Sequence, residues 1–293
     1  MEIVGVDFSG AKTDDRTWVA QGTLEHGSLT LQDCRPVPRA SLAELLLSLP
    51  GGSVAALDFP FSVPKVFAYF WQPGATSMPD LWAAASAIDL SQFLDFRDGF
   101  VARYGEPKRR CDLRFPECYS CLHKANPNMV PMTFYGMQML GPLFQAGCAV
   151  PPLEAPDTDR PQNKSKAVLL EAMPGAALKA MNLPYKGYKK GANALLLRQR
   201  ILDGLESRSE FAIKNLRRFR ELCLGSDDAL DAVVAAVIAT LWSADPNLFW
   251  RPVVTGTAAP DAVALLEGWL YAPVYLQSSE RSFPQDTPHK TLR

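Results

Sequence analysis

Two short apolar runs, each closed by an aspartate, set the strongest limit on how this chain can fold: Ile3-Val4-Gly5-Val6-Asp7 and Val54-Ala55-Ala56-Leu57-Asp58. Apolar runs of this length, the first also rich in β-branched residues, stopped by Ser9-Gly10 and by Pro60, read as buried strands. Between them, Thr17 to Leu24 and Leu29 to Cys34 predict two further strands joined by a hairpin at His26-Gly27. Ser41 to Leu49 carries leucines at helical spacing behind a serine cap candidate and ends at Pro50-Gly51-Gly52. The order is therefore β-β-β-α-β. A right-handed crossover lays the fourth strand parallel beside the first.

That order opens the ribonuclease H topology: an α/β fold with a mixed five-stranded sheet, strand order 3-2-1-4-5, and helices on both faces. Residues 61 to about 165 interrupt it with prolines, aromatics and short helical patches at Pro79–Ala87, Leu90–Arg103 and Phe134–Gln145, read as a largely helical insertion after the fourth strand. Ala167–Ala172 predicts the fifth strand, and Pro174 opens a helix, where the first turn tolerates proline. Helices follow at Ala192–Leu205, Glu210–Cys223 and Asp227 to about Trp242, the last capped by Ser226, and a short strand near Trp269–Val274. Residues 1–276 read as one domain and 277–293 as a frayed polar tail.

With 293 residues and 47% apolar content, the chain has ample material for a core. The start at Met1 shows no basic leader with an apolar stretch. The longest apolar run, Ala229–Trp242, is shorter than the roughly 20 residues a bilayer needs. Six scattered cysteines do not suggest a secreted disulfide scaffold, so a reducing cytoplasm and no membrane partner are expected. The net charge of −1 conceals one basic stretch: from Lys179 to Arg220 eleven bases face three acids. It is either a surface for a polyanion or a solvated face offset by acids elsewhere.

Asp7 and Asp58 end parallel neighbouring strands about 4.8 Å apart, at the sheet edge where α/β folds place their ligands. So close a pair of carboxylates must be matched by a partner or a metal to stay charged. Asp228 and Asp231, three apart on the last helix, share a face. Asp228 also suits the helix dipole, whereas Asp231 enters an all-apolar helix and needs a match there. Mg²⁺ or Mn²⁺, which prefer carboxylate oxygens, are the natural cofactors, and such ions activate water against phosphodiesters.

The sequence resembles the domain-of-unknown-function family 429, predicted nucleases with a ribonuclease H fold. The resemblance rests on Gly5–Gly10, Leu57–Phe61, Glu171–Pro174, Tyr185–Lys189, Ser226–Ala232 and Glu267–Tyr271. More distantly, the acids are similar to those of RuvC-type resolvases: one on the first strand, one on the fourth, and a D-x-x-D pair on the last helix. The resemblance implies Asp7, Asp58, Asp228 and Asp231 as catalytic metal ligands, nucleic acid as partner and, by analogy with resolvases, a homodimer. Asp58 stands where resolvases usually carry a glutamate.

Glu171, closing the fifth strand, is a candidate ligand, a base orienting water, or a partner for an arginine. Lys186, Tyr188, Lys189 and Lys190, between glycines, suggest a loop that grips phosphates while Tyr188 stacks on a base. Arg198 and Arg200 would extend that patch. Arg109 and Arg110 are candidates for a substrate clamp. Cys111, Cys118, Cys121 and His123 offer one C-x-x-C half-site without a paired second half, so buried thiols are expected rather than zinc. Two rivals remain. Ser9–Thr13 resembles the turn with which sugar kinases and actin-like ATPases grip ATP, though only one such loop is present. The other is a non-catalytic nucleic-acid-binding module.

Overall fold

The computed structural model describes residues 1–115, 118–153, 166–208, 211–252 and 261–274. Strands β1 (Glu2–Asp7), β2 (Thr17–Glu25) and β3 (Ser28–Val37) lead into helix α1 (Arg39–Ser48) and strand β4 (Val54–Asp58). His26 and Gly27, at φ 49° and 74°, form the β2–β3 turn. Two positive φ angles suit the twist of a two-residue hairpin. Helix α1 begins at Arg39, ahead of the expected Ser41. Asp14 explains this: its carboxylate accepts from the Arg39 backbone N–H at 2.8 Å and satisfies the helix start from a distant turn.

The insertion holds α2 (Lys65–Trp71), α3 (Met78–Ser86), α4 (Leu90–Tyr104) and α5 (Met129–Gln145). Helix α5 starts five residues before the predicted Phe134, because Pro131 lies in its first turn, where a missing N–H is harmless. Then come β5 (Val168–Glu171), α6 (Pro174–Ala180), α7 (Ala194–Glu206), β6 (Ala212–Lys214), α8 (Arg220–Gly225), α9 (Asp227–Ala244) and α10 (Ala262–Glu267).

The sheet order is β5-β4-β1-β2-β3-β6, with β1, β4 and β5 mutually parallel and β2 antiparallel to both β1 and β3. The five-stranded ribonuclease H-like order is therefore present, and a sixth strand extends it. Residues 212–214, expected in a helix from Glu210 to Cys223, instead pair with Ser28–Thr30. The open edge of β3 offers backbone partners that outweigh a weak helical pattern, and Asn215, at φ 65°, ends the strand while donating to the Leu31 carbonyl. The strand expected near Trp269–Val274 reduces to two single bridges, Leu270 to Glu171 and Pro273 to Phe249. Glu210, residues 154–165 and the 277–293 tail lie outside the described residues.

One core lies between the sheet and α6–α9, the other between its opposite face and the helices α1–α5. Helix α9 is buried at every position from Ala229 to Trp242, and Ser226 caps it by accepting from Ala229 N–H at 3.1 Å. It packs against β1 so tightly that a Cβ on Gly5 would lie 2.1 Å from the Ala232 carbonyl oxygen and the Ala236 nitrogen. Gly5 is thus the residue that lets helix backbone rest on strand backbone. The same contact sets Asp231, one residue before Ala232, against Asp7, two residues after Gly5. Gly5→Ala is expected to cost about 3 kcal/mol, the upper end of ordinary overpacking, because backbone cannot rotate away. Urea denaturation would measure it, and an unchanged midpoint would contradict the packing.

Candidate metal centre

Asp7 and Asp58 are register partners at the C-terminal ends of β1 and β4. Asp231 reaches the same point from α9, and one carboxylate oxygen from each of the three lies within 4.8 Å of the others. Asp231 is fully buried, while Asp7 and Asp58 keep part of their surface open. The three acids thus come from two strands and a helix far apart in the chain. The cluster does not include Asp228, which lies half-buried in the first turn of α9.

Crowding shows in the protonation equilibria. Burial, then Asp231 and Asp58, pushes the Asp7 carboxyl well above the usual range. Burial likewise raises Asp58 to about 7, against the pull of Lys189. Asp231 is also raised by burial, although Lys189 and Tyr188 favour its charged form. Asp228 is raised by burial and by Asp227 beside it.

The loop between α6 and α7 brings a cation to the cluster, in direct contact with Asp231. Lys189 Nζ stands 2.6 Å from Asp231 Oδ2, and the Tyr188 hydroxyl donates to Asp231 Oδ1 at 2.8 Å. Oδ2 receives no well-directed hydrogen bond despite that close ammonium. Tyr188 is only 2% exposed, so its ring has no face for a base. The stacking expected of it is corrected: Tyr188 anchors the loop to the acids. Arg198 is likewise taken up, donating to the Tyr188 and Leu224 carbonyls at 2.7 and 2.9 Å.

These acids lie in a cleft of about 1180 Å³, which Lys108, Lys186, Lys189 and Lys190 also line. The negative centre thus shares its cleft with four lysines. Three carboxylates against one ammonium leave a deficit that a divalent cation matches, and the all-oxygen donor set suits Mg²⁺ or Mn²⁺.

A second group, Cys111, Asp112 and Glu171, has the spacing of a metal site. Its centre is already filled. Arg109 donates to Glu171 at 2.8 and 2.5 Å and to Asp112 at 3.1 and 2.8 Å, all three being 2% exposed. Glu171 also accepts from Phe61 N–H at 2.9 Å. Of the readings open for Glu171, the geometry matches the arginine partner, and Arg109 is corrected from clamp to internal counter-ion. Arg110 turns from the cleft to pair with Asp261, while its backbone N–H reaches Glu267 at 2.6 Å.

Cys111 does not gather with Cys118, Cys121 and His123. Cys118 lies on Met173, and His123 Nδ1 sits 2.6 Å from Glu106. The Ser9–Thr13 turn is occupied as well. Its Ser9 and Ala11 N–H groups go to the side chains of Thr17 and Ser9, and Arg39 takes the carbonyls of Ser9 and Ala11. A phosphate cradle needs those N–H groups free. Sequence reasoning missed Asp112, Glu106 and Tyr119. Only Asp112 left a trace, in the R-x-x-D spacing after Arg109.

Sheet order, helices on both faces and carboxylates at the shared ends of the first and fourth strands define a ribonuclease H-like protein with a candidate acidic metal centre. Residues 5–250 match the family described as Protein of unknown function (DUF429), and the chain belongs to that family. No curated protein and no solved structure matches it. Among the described residues, no helix is long and apolar enough to cross a membrane.

Proposed function

We propose that this protein is a metal-dependent nuclease, hydrolysing phosphodiester bonds of nucleic acid at the Asp7–Asp58–Asp231 centre. The observation that carries the reading is the convergence of three carboxylates from three separate elements within 4.8 Å, in a cleft that four lysines also line. Asp7, Asp58 and Asp231 would hold Mg²⁺ or Mn²⁺, with Asp228 at the margin. A divalent ion bound there supplies an activated water and neutralises charge on the leaving oxygen.

The chain's own groups do the rest. Lys186 and Lys190 meet backbone phosphates electrostatically and steer a polyanion into the cleft. Lys189 favours the ionised form of Asp231 against its burial, and its half-exposed side chain suits an entering phosphate. Tyr188, by donating to Asp231, fixes which oxygen faces the centre. Arg109 favours the charged form of Glu171 against the burial that raises it, and fixes its position beside β4.

The test is cleavage of labelled single-stranded and duplex DNA and RNA by purified protein, with Mn²⁺, with Mg²⁺ and with chelator. Cleavage of at least one substrate that needs the metal is expected. Failure to cut any of them, or a rate indifferent to chelator, would overturn the reading. Binding without turnover would instead support the non-catalytic module.

A further inference from the structure

On the same cleft lies an aromatic pair that the metal chemistry does not use. Tyr119 and His123 stack at 4.8 Å between ring centroids and 15° between planes, and both line the cleft that holds the acids. Their support is rigid. Glu106 reaches His123 Nδ1 at 2.6 Å with one oxygen and accepts from the Lys124 N–H at 2.8 Å with the other. Ser120 donates to the Pro107 carbonyl at 2.6 Å, and the flanking Cys118, Ser120, Cys121 and Leu122 are buried.

Tyr119 itself is 65% exposed. An apolar ring held open to solvent on a fixed imidazole, in a cleft lined with lysines, offers a flat face at little entropic cost. Rings of this kind take nucleobases, because every base has a π-face. A base can reach such a face only when it is unpaired.

We propose that the Tyr119–His123 stack is a subsite for an unpaired nucleobase, and that the polyanion entering this cleft is single-stranded nucleic acid. The proposal deepens the nuclease reading and rests on it for the class of ligand. Lys108 also lines this cleft, where its charge suits a backbone phosphate of the same strand.

The probe is a short single strand carrying 2-aminopurine, whose fluorescence is quenched by stacking, titrated with protein in chelator so that nothing is cut. Quenching is expected for the parent and for Tyr119→Phe. Tyr119→Ala should lose the quench and bind roughly 5- to 150-fold more weakly, the equivalent of stacking one base. An abasic strand of equal length should bind weakly and ignore Tyr119→Ala. Equal affinity for base-bearing and abasic strands, or an undiminished quench in Tyr119→Ala, overturns the proposal, as does absence of binding. Equally tight binding of the duplex, or of 2-aminopurine mononucleotide, removes the single strand as ligand. Because no metal is present, a Tyr119-dependent quench stands even if no substrate is ever cut. Conversely, cleavage accompanied by base-independent binding sinks the subsite alone.

Discussion

Asp7→Asn is expected to abolish metal-dependent cleavage while making the metal-free protein more stable. The two effects have one cause. Asp7 is pushed up by burial and by its neighbours Asp231 and Asp58, so its charge opposes folding in the absence of a cation. Removing it relieves that repulsion, so the denaturation midpoint of the metal-free protein should rise. The same change removes a ligand from the centre. Turnover should then fall by well over the roughly 10- to 100-fold that loss of an outer-shell partner costs.

The pH dependence runs the same way. Folding raises Asp58 to about 7, so between roughly pH 4 and 7 the folded chain holds a proton that the unfolded chain has released. The metal-free protein therefore loses stability as pH rises through that window. A divalent ion needs the deprotonated form, so its stabilising effect should be small at low pH and grow as pH passes about 7. Melting curves of parent and Asp7→Asn, with and without Mn²⁺ on either side of neutrality, measure all of this. A Mn²⁺ response that survives Asp7→Asn, or one that weakens at high pH, would count against the centre.

Arg109→Ala is expected to destabilise the fold by about 3–5 kcal/mol, the effect of stripping one partner from a buried ion pair. Here the loss leaves two buried carboxylates, Asp112 and Glu171, without the guanidinium that both accept from. Against a typical total of about 5–15 kcal/mol, such a change leaves a marginal protein. Chemical denaturation should show it, and adding Glu171→Gln to the Arg109 variant should recover part of the loss by removing one orphaned charge. Glu171→Gln alone then separates the readings of that residue. An intact Mn²⁺ response fits a structural partner, whereas a lost one would return Glu171 to the metal centre.

Much of the fold was legible because its signals are local. The apolar runs before Asp7 and Asp58, the His26-Gly27 turn and the Ser226 cap each encode their conformation within a few residues. Two predictions slipped where a remote partner intervened. Asp14 moved the start of α1, and the free edge of β3 drew residues 212–214 out of the expected helix.

The sequence alone determined that acids would close the first and fourth strands and that Asp231 would sit in an apolar helix, since residue type and periodicity suffice for that. Only the tertiary structure decided which of the polar groups meet. Gly5 brings α9 onto β1 and seats Asp231 beside Asp7; Tyr188 and Lys189 turn inward to that aspartate; Arg109 closes on Glu171, 62 residues away. The reason is that charge and hydrogen bonding act across space. Spacing along the chain shows which groups demand a partner, and packing chooses the partner each one receives.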